Sequence, residues 1–403
     1  MLKLRGKTVA VKKSAVEPRL LKVTKDSHLP ARLRSQYALL VDAVNLEGAD
    51  GFGAVLVRGD VTADDAARSL ADDIYRIGED YSYLADGDIV RLNPSLDTLS
   101  VLFRVSSNSN TILLTEQCNH YCLMCSQPPR NVDDFWILEE VFQLIRLIPE
   151  GTPSLGFSGG EPTLYGDRFI ALMRHVKSHL PRTRIDVLTN GRAFHDPSFA
   201  HKLGLVEHPN LTLGIPLYSD DPVRHDYVVQ ASGAFDETVK GILNLRAAGV
   251  RVEIRVVVHR QTLPRLVQTC RFVARNLLFV HHVALMGLEI TGFTRANLEE
   301  LWVDPHEYRD TLSEAAGVLT AYGIKTSIYN HQLCLVNSDL YPIYRKSISD
   351  WKTEYLEECA TCEQRNDCGG FFSSAVQYRH SAHIRPIKTT SRANPPLLEL
   401  QSG

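Results

Sequence analysis

The sequence of 403 residues contains no apolar run approaching the ~18 residues that a bilayer-crossing helix needs, which excludes a helical membrane span. Its first segment, MLKLRGKTVAVKK, alternates basic with single apolar residues and lacks the apolar centre of a secretory signal, so a cytoplasmic protein is expected. Neither sign of charge dominates, since 44 Lys and Arg stand against 47 Asp and Glu for a net charge of −3. That balance lacks the basic footprint of a nucleic-acid binder or of a protein drawn to anionic lipid, and neither partner is expected. Cysteine is scarce, with eight residues in the whole chain. Seven of the eight nevertheless fall in two groups, Cys118, Cys122 and Cys125, then Cys334, Cys359, Cys362 and Cys368, while Cys270 stands alone. In a reducing compartment, grouped thiols point to metal binding or catalysis rather than disulfides.

The length suits two or three domains. Residues 1–105 carry short alternating segments between turn signals (TVAVKK, YALLVDAV, AVLVRGD, DGDIVRL, LSVLFRV), which predicts an N-terminal β-rich domain. Within it, TADDAARSLADDIYRIG (62–78) has a Thr cap, early acidic residues and helical apolar spacing, which predicts one helix. The glycines of EGADGFGAVLV do not fit G-x-G-x-x-G and precede a strand, so no nucleotide loop is expected there. Residues 106–300 alternate strand and helix, with strands at TILLTE, SLGFSG, RIDVLTNG, LTLGIPLYS, VEIRVVVH and HVALMGLEI. Six strands with crossover helices predict an α/β fold, a partial (β/α)6 TIM-like barrel with its chemistry at the C-terminal strand ends. Residues 301–384 hold the C-terminal cysteines, and 385–403 read as a loose polar tail.

CNHYCLMC (118–125) begins just after the first barrel strand, which puts three sulfurs on a loop at the catalytic rim. A zinc site would want a fourth ligand. An iron–sulfur cube instead uses three thiolates on three irons and leaves the fourth iron open. C-x3-C-x2-C in this position resembles the signature of the radical SAM superfamily. The resemblance implies a [4Fe–4S] cluster on Cys118, Cys122 and Cys125 that binds and reductively cleaves S-adenosylmethionine (SAM). Met124 stands where that family commonly has an aromatic residue beside the adenine. SGGEPTL (158–164) resembles the family's GGEP motif, implying SAM contacts from Gly159, Gly160, Glu161 and Pro162, with Glu161 accepting from the SAM ammonium. GFSGG also fits the G-x-S-x-G nucleophile elbow, but Glu161 and Pro162 follow where an elbow enters its helix directly. By the same resemblance Thr189 and Asn190 line the SAM side, Ser219 meets the ribose or carboxylate, Arg255 pairs with the carboxylate, and Leu288 of MGLEITGF lies by the adenine. His120 and His225 are candidate proton donors or hydrogen-bonding residues, and Cys270, at helical spacing from Leu266, Val267 and Leu277, reads as core.

Cys359-x2-Cys362-x5-Cys368, with Cys334 upstream, offers four thiolates, enough to close either a second [4Fe–4S] cluster or a structural zinc site. The spacing resembles the auxiliary-cluster regions of peptide-modifying radical SAM enzymes. Over residues 105–380, the stretches TEQCNHYCLMCSQPPR, IPLYSDDPVRHDYVVQ and SISDWKTEYLEECATCEQRNDCGGFFSS resemble the C-type maturases of the His-Xaa-Ser system. That resemblance implies a peptide maturase acting on a ribosomally made precursor with His-Xaa-Ser repeats, a B-type radical SAM partner protein, and an electron donor such as flavodoxin or ferredoxin. A radical SAM enzyme of small-molecule cofactor biosynthesis and a non-catalytic Fe–S partner of a second maturase remain the alternatives.

Overall fold

The computed structural model describes residues 3–42, 46–346 and 353–388. Residues 389–403 of the expected tail lie outside the described residues. Residues 5–103 form one eight-stranded mixed sheet with, in spatial order, strands Arg5–Lys7, Thr98–Phe103, Ile89–Asn93, Arg19–Thr24, Tyr37–Val41, Ala54–Arg58, Ile74–Ile77 and Val9–Lys12. The helix expected over 62–78 is corrected to a short one, Ala63–Arg68, capped by a reciprocal pair between Thr62 and Asp65. The remainder turns into the strand Ile74–Ile77, because Asp73 ties the chain to the sheet: its buried carboxylate accepts from the backbone of Ser14 (2.9 Å) and Ala15 (3.0 Å) and from Arg19 (2.8 Å). Ile74, Tyr75 and Ile77 then fill the sheet's two faces, for which β-branched and aromatic side chains are suited.

The second sheet is parallel throughout and runs in sequence order: Asn110–Leu113, Ser154–Ser158, Arg184–Leu188, Leu211–Pro216, Arg251–Val258, His282–Gly287 and Thr326–Tyr329. It has seven strands where six were expected, because the helix Pro305–Ala321 is a further crossover that leads into one more parallel strand. The seventh strand, TSIY, lacks an apolar run, which is why periodicity does not show it. Its Thr326 and Ser327 are buried through hydrogen bonds, Ser327 Oγ meeting His282 Nε2 at 2.9 Å.

Strand alternation divides the residues cleanly. Leu155, Phe157, Val187, Leu213, Ile254, Val283 and Ile328 join the core under the helices, with Leu138, Phe169, Ile242, Cys270 and Leu312 on the helix side. Gly156, Asp186, Gly214, Glu253 and Arg255 occupy the opposite face by register. Cys270 is buried in the helix-side core, as expected. The N-terminal sheet docks on the first barrel helix, Phe135–Leu147: Arg91 bonds Glu140 (3.4 Å) and lies over Trp136. Among the described residues no helix is long and apolar enough to cross a membrane.

Candidate active site

The loop bearing Cys118, Cys122 and Cys125 leaves the first barrel strand and is fastened on several sides. At its root Asp134 accepts from Thr115 Oγ1 (3.0 Å), Glu116 N (2.5 Å) and Gln117 Nε2 (3.2 Å). Tyr121 N and Leu123 N donate to the carbonyls of Val229 (3.1 Å) and Val228 (3.0 Å) at the end of helix Pro222–Val229. From beyond the sixth strand, Asn297 Nδ2 bonds Leu123 O (2.9 Å), Thr294 Oγ1 bonds Met124 O (3.2 Å) and Phe293 N bonds Cys125 O (2.9 Å). Gly292, at φ +53°, packs so closely on Cys125 that a Cβ there would overlap its carbonyl oxygen. Sequence reasoning missed Asp134, Gly292, Thr294 and Asn297. Only the glycine left a local trace, in the T-G of EITGF.

The second strand ends against this loop. Gly160 N donates to Thr115 O and Glu161 N to Gln117 O, both at 2.7 Å, and a side chain at Gly160 would overlap the carbonyl of Gln117. Glu161 is 1% exposed. Its Oε1 accepts from Thr163 N (3.0 Å), Thr163 Oγ1 (2.6 Å) and Thr189 Oγ1 (2.6 Å), and its Oε2 from Asn190 N (2.6 Å). Burial pushes its carboxyl upward in pKa, opposed by these hydrogen bonds. The expected reach to an ammonium therefore narrows to Oε2, the oxygen with one acceptor position left. Asn190 Nδ2 continues the chain to Asn119 Oδ1 of the cysteine loop at 2.6 Å. Pro162 opens the short 3-10 turn Pro162–Tyr165 and is buried, and among the described residues Ser158 has no histidine partner of the kind an elbow nucleophile needs.

The other expected SAM contacts are placed unequally. Met124 is buried in a cluster with Tyr218, Val228 and Val229, and Leu288 packs against the same cluster. Arg255 lies over Gly214, where a Cβ would come within 3.2 Å of its Cδ, and its Nε stands 3.3 Å from Glu253 Oε1. Glu253 also accepts from His282 Nδ1 at 2.8 Å. Burial raises its pKa, but the His282 hydrogen bond and the Arg255 charge outweigh that and leave it lowered. Ser219 is fully buried and its Oγ accepts from Asp221 N (3.1 Å), so it turns the chain. His120 and His225 are corrected as proton donors. Burial lowers their pKa to about 3 and about 4, which keeps both neutral near pH 7.

The three cysteines are partly exposed and unpaired, the state a metal can reach. Burial pushes the Cys118 thiol up to about 11 and raises those of Cys122 and Cys125. A bare thiolate is thus disfavoured, and only a cation bound there would offset the loss of the protons. Cys125 Sγ donates to Gln127 O (3.0 Å), a contact that deprotonation would reverse into repulsion. Among the described residues no three His, Cys, Asp or Glu side chains converge tightly enough for a single metal ion. A cube needs no such convergence, because each thiolate takes its own iron corner. The thiol-only donor set, on a loop fastened by hydrogen bonds, fits that group.

All four C-terminal cysteines, Cys334 included, line one cavity. Backbone N–H groups point at its sulfurs: Leu333 and Gly370 donate to Cys368 Sγ (3.4 Å each) and Ile387 to Cys362 Sγ (3.3 Å). Ile384, Arg385 and Ile387 complete the wall, which corrects the expected loose tail at 385–388. A second cleft adjoins it, lined by Leu288, Trp302, Tyr308, Asn330 and Arg379. Gln332 and Phe371 belong to both walls. Leu288 touches the cluster around Met124, so this second cleft lies between the two cysteine groups.

Residues 112–273 match the family model described as the Radical SAM superfamily. This segment is a radical SAM domain. It takes in Cys118, Cys122, Cys125, Glu161, Asn190 and Arg255, and it ends before Leu288 and the C-terminal cysteines. The AdoMet-dependent heme synthase of Nitratidesulfovibrio vulgaris (strain Hildenborough) is 25% identical over 213 residues, 50% of this chain and 56% of that protein. Among solved structures, SuiB of Streptococcus suis bound to S-adenosylmethionine shares 17% identity at a TM-score of 0.45, covering 56% of this chain and 51% of that one. Native anSMEcpe with bound AdoMet shares 15% at 0.48, covering 68% and 92%. The chain thus spans about half the length of the heme synthase and of SuiB.

Proposed function

We propose that the chain is a radical SAM enzyme that modifies a ribosomally made peptide. The observation that carries the radical reading is one cysteine loop, C-x3-C-x2-C, fastened to Gly160 and to the Glu161–Asn190–Asn119 hydrogen-bond chain inside the matched domain. Cys118, Cys122 and Cys125 would hold the [4Fe–4S] cluster, and a bound cluster supplies the electron that breaks the sulfonium C–S bond of SAM. Glu161 Oε2 would take the SAM ammonium and Arg255 its carboxylate, with Met124 and Leu288 giving the adenine an apolar wall. Thr189 and Asn190 hold Glu161 in place, and Gly159, Gly160 and Pro162 let backbone lie close to the ligand.

The cleft between the two cysteine groups is the proposed substrate site: Trp302, Tyr308 and Phe371 supply apolar contact, and Asn330 supplies polar contact. Cys334, Cys359, Cys362 and Cys368 would hold a second [4Fe–4S] cluster beside it, with N–H···S contacts of the kind that support ligating thiolates. The resemblance to the His-Xaa-Ser maturases supports a precursor with His-Xaa-Ser repeats, a B-type partner protein and a flavodoxin or ferredoxin donor. A small-molecule substrate is the second reading, favoured by the heme synthase relative.

The test is anaerobic reconstitution followed by dithionite, SAM and a His-Xaa-Ser precursor peptide. Release of 5′-deoxyadenosine with a mass change on the peptide is expected, and no deoxyadenosine under any of these conditions would refute the radical reading. About eight irons falling to about four in the Cys118/Cys122/Cys125 triple alanine variant would establish two clusters, whereas about four falling to none would leave zinc or nothing at the C-terminal site.

A further inference from the structure

His120 occupies the middle of CNHYC, and its role is absent from the SAM contacts above. It is 2% exposed, and two of its polar groups face sulfur. Its backbone N–H donates to Cys118 Sγ at 3.4 Å, and its ring Nδ1 stands 4.0 Å from Cys122 Sγ. Its other ring nitrogen, Nε2, is buried with no hydrogen-bond partner. We infer that His120 carries its ring proton on Nδ1 and donates an N–H···S hydrogen bond to the Cys122 thiolate, which sets the reduction potential of the cluster that Cys118, Cys122 and Cys125 hold.

The tautomer follows from elimination. A ligating Cys122 is a thiolate with no proton to give, so the contact is attractive only if Nδ1 is the donor. The opposite tautomer would aim the Nδ1 lone pair at a negative sulfur and also leave an Nε2–H buried without an acceptor, two penalties at once. With the proton on Nδ1, the bare atom is a lone pair, which proteins leave unmet more readily than an N–H. A hydrogen bond to a cluster thiolate favours the more negative, reduced state, because charge on sulfur strengthens the bond. His120 is therefore a positioning and tuning residue, with its backbone serving Cys118 and its side chain Cys122.

The inference rests on the proposed cluster assignment, and the experiment separates the two. Wild type, His120→Leu and His120→Asn are reconstituted anaerobically with the C-terminal cysteines intact. Iron is counted, and the midpoint potential of the SAM-site cluster is read by EPR redox titration without substrate. Asparagine can present an amide N–H near the Nδ1 position, whereas leucine cannot. Full iron loading is expected in all three, with a more negative midpoint in His120→Leu and a midpoint near wild type in His120→Asn. Equal midpoints in wild type and a fully loaded His120→Leu would overturn the tuning role while leaving the cluster assignment intact. Wild type unable to bind iron at this loop would overturn both. Should leucine prevent loading, His120→Gln, which places its N–H toward the Nε2 side, carries the comparison: a negative shift supports the inference and an unchanged potential refutes it.

Discussion

Replacing Gly160 with alanine would set a Cβ onto the carbonyl group of Gln117 and 3.0 Å from Cys118 Cβ. The two nearest atoms are backbone and the third is a Cβ, which rotation does not move, so no side-chain rotation relieves the overlap. Either the cysteine loop or the end of the second strand must move, and the two hydrogen bonds that join them, Gly160 N to Thr115 O and Glu161 N to Gln117 O, are the first to stretch. Overpacking of this kind costs about 1–3 kcal/mol, and each strained hydrogen bond adds about 1 kcal/mol. A total of about 4 kcal/mol corresponds to a melting temperature lower by roughly 10 °C for a barrel of this size. Two alanine controls fix the interpretation. At Gly151 a Cβ meets nothing within 4 Å, so alanine there is expected to be neutral. At Gly156, inside the second strand, the nearest atom is the rotatable Thr111 Oγ1 at 2.9 Å, and a small loss is expected. The assay is thermal melting of the metal-free protein together with iron content after reconstitution, where Gly160→Ala should lose the iron of the N-terminal loop and keep that of the C-terminal cavity. A Gly160→Ala protein that melts and loads iron like wild type would refute the close packing of loop against strand.

Glu161→Gln keeps the shape but sets an amide N–H2 among groups that already donate. It should lose about 2–3 kcal/mol in a urea melt and weaken SAM binding in calorimetry. Arg255→Met should raise the SAM Kd by about tenfold or more, the equivalent of about 1.4 kcal/mol, with iron content unchanged. Asp73 is held below the ordinary carboxylate range: burial opposes this, but the Ala15 and Ser14 N–H groups and Arg19 outweigh it. Its stabilising contribution is therefore fully present above its unfolded value near 3.8 and is lost as pH falls through the lower folded value. Asp73→Asn should destabilise the N-terminal sheet at pH 7 and flatten its acid unfolding profile, both read by circular dichroism.

The barrel's first six strands were legible because each is a run of apolar residues bounded by turn signals, the form that a strand covered by helices takes. The seventh was not, since Thr326 and Ser327 are buried through hydrogen bonds to Ile324 and His282 that a hydropathy pattern cannot register. The same blindness explains the short helix at 63–68, where the decisive group is Asp73, a charge that reads as surface until its donors from residues 14–19 are in place. At the site, the cysteines stand out by their spacing, whereas Gly160 is singled out by the resemblance of SGGEPTL to a family motif. The turn made by Ser219 is not legible either way, because a buried serine that turns the chain and an exposed one that meets a ligand have the same letter.

What the structure alters most is the division of labour around SAM. Read from sequence, Glu161 is a ligand contact; in the fold, three of its four donors come from Thr189, Asn190 and the Thr163 hydroxyl, and its fourth is the Thr163 N–H. Asn190 then reaches Asn119 between the first two cysteines. The ends of the first three barrel strands are thus joined to the cysteine loop by hydrogen bonds that involve no metal. The Val228, Val229, Thr294 and Asn297 contacts fasten its other side. A loop so held enters metal binding with little ordering entropy left to lose. Asn190→Ala, which cuts the side-chain link to Asn119 while leaving every cysteine in place, should therefore reduce iron affinity in competition with a chelator more than it reduces the melting temperature of the metal-free protein. A variant that loses stability but holds iron as tightly as wild type would show that the chain supports the barrel and not the loop.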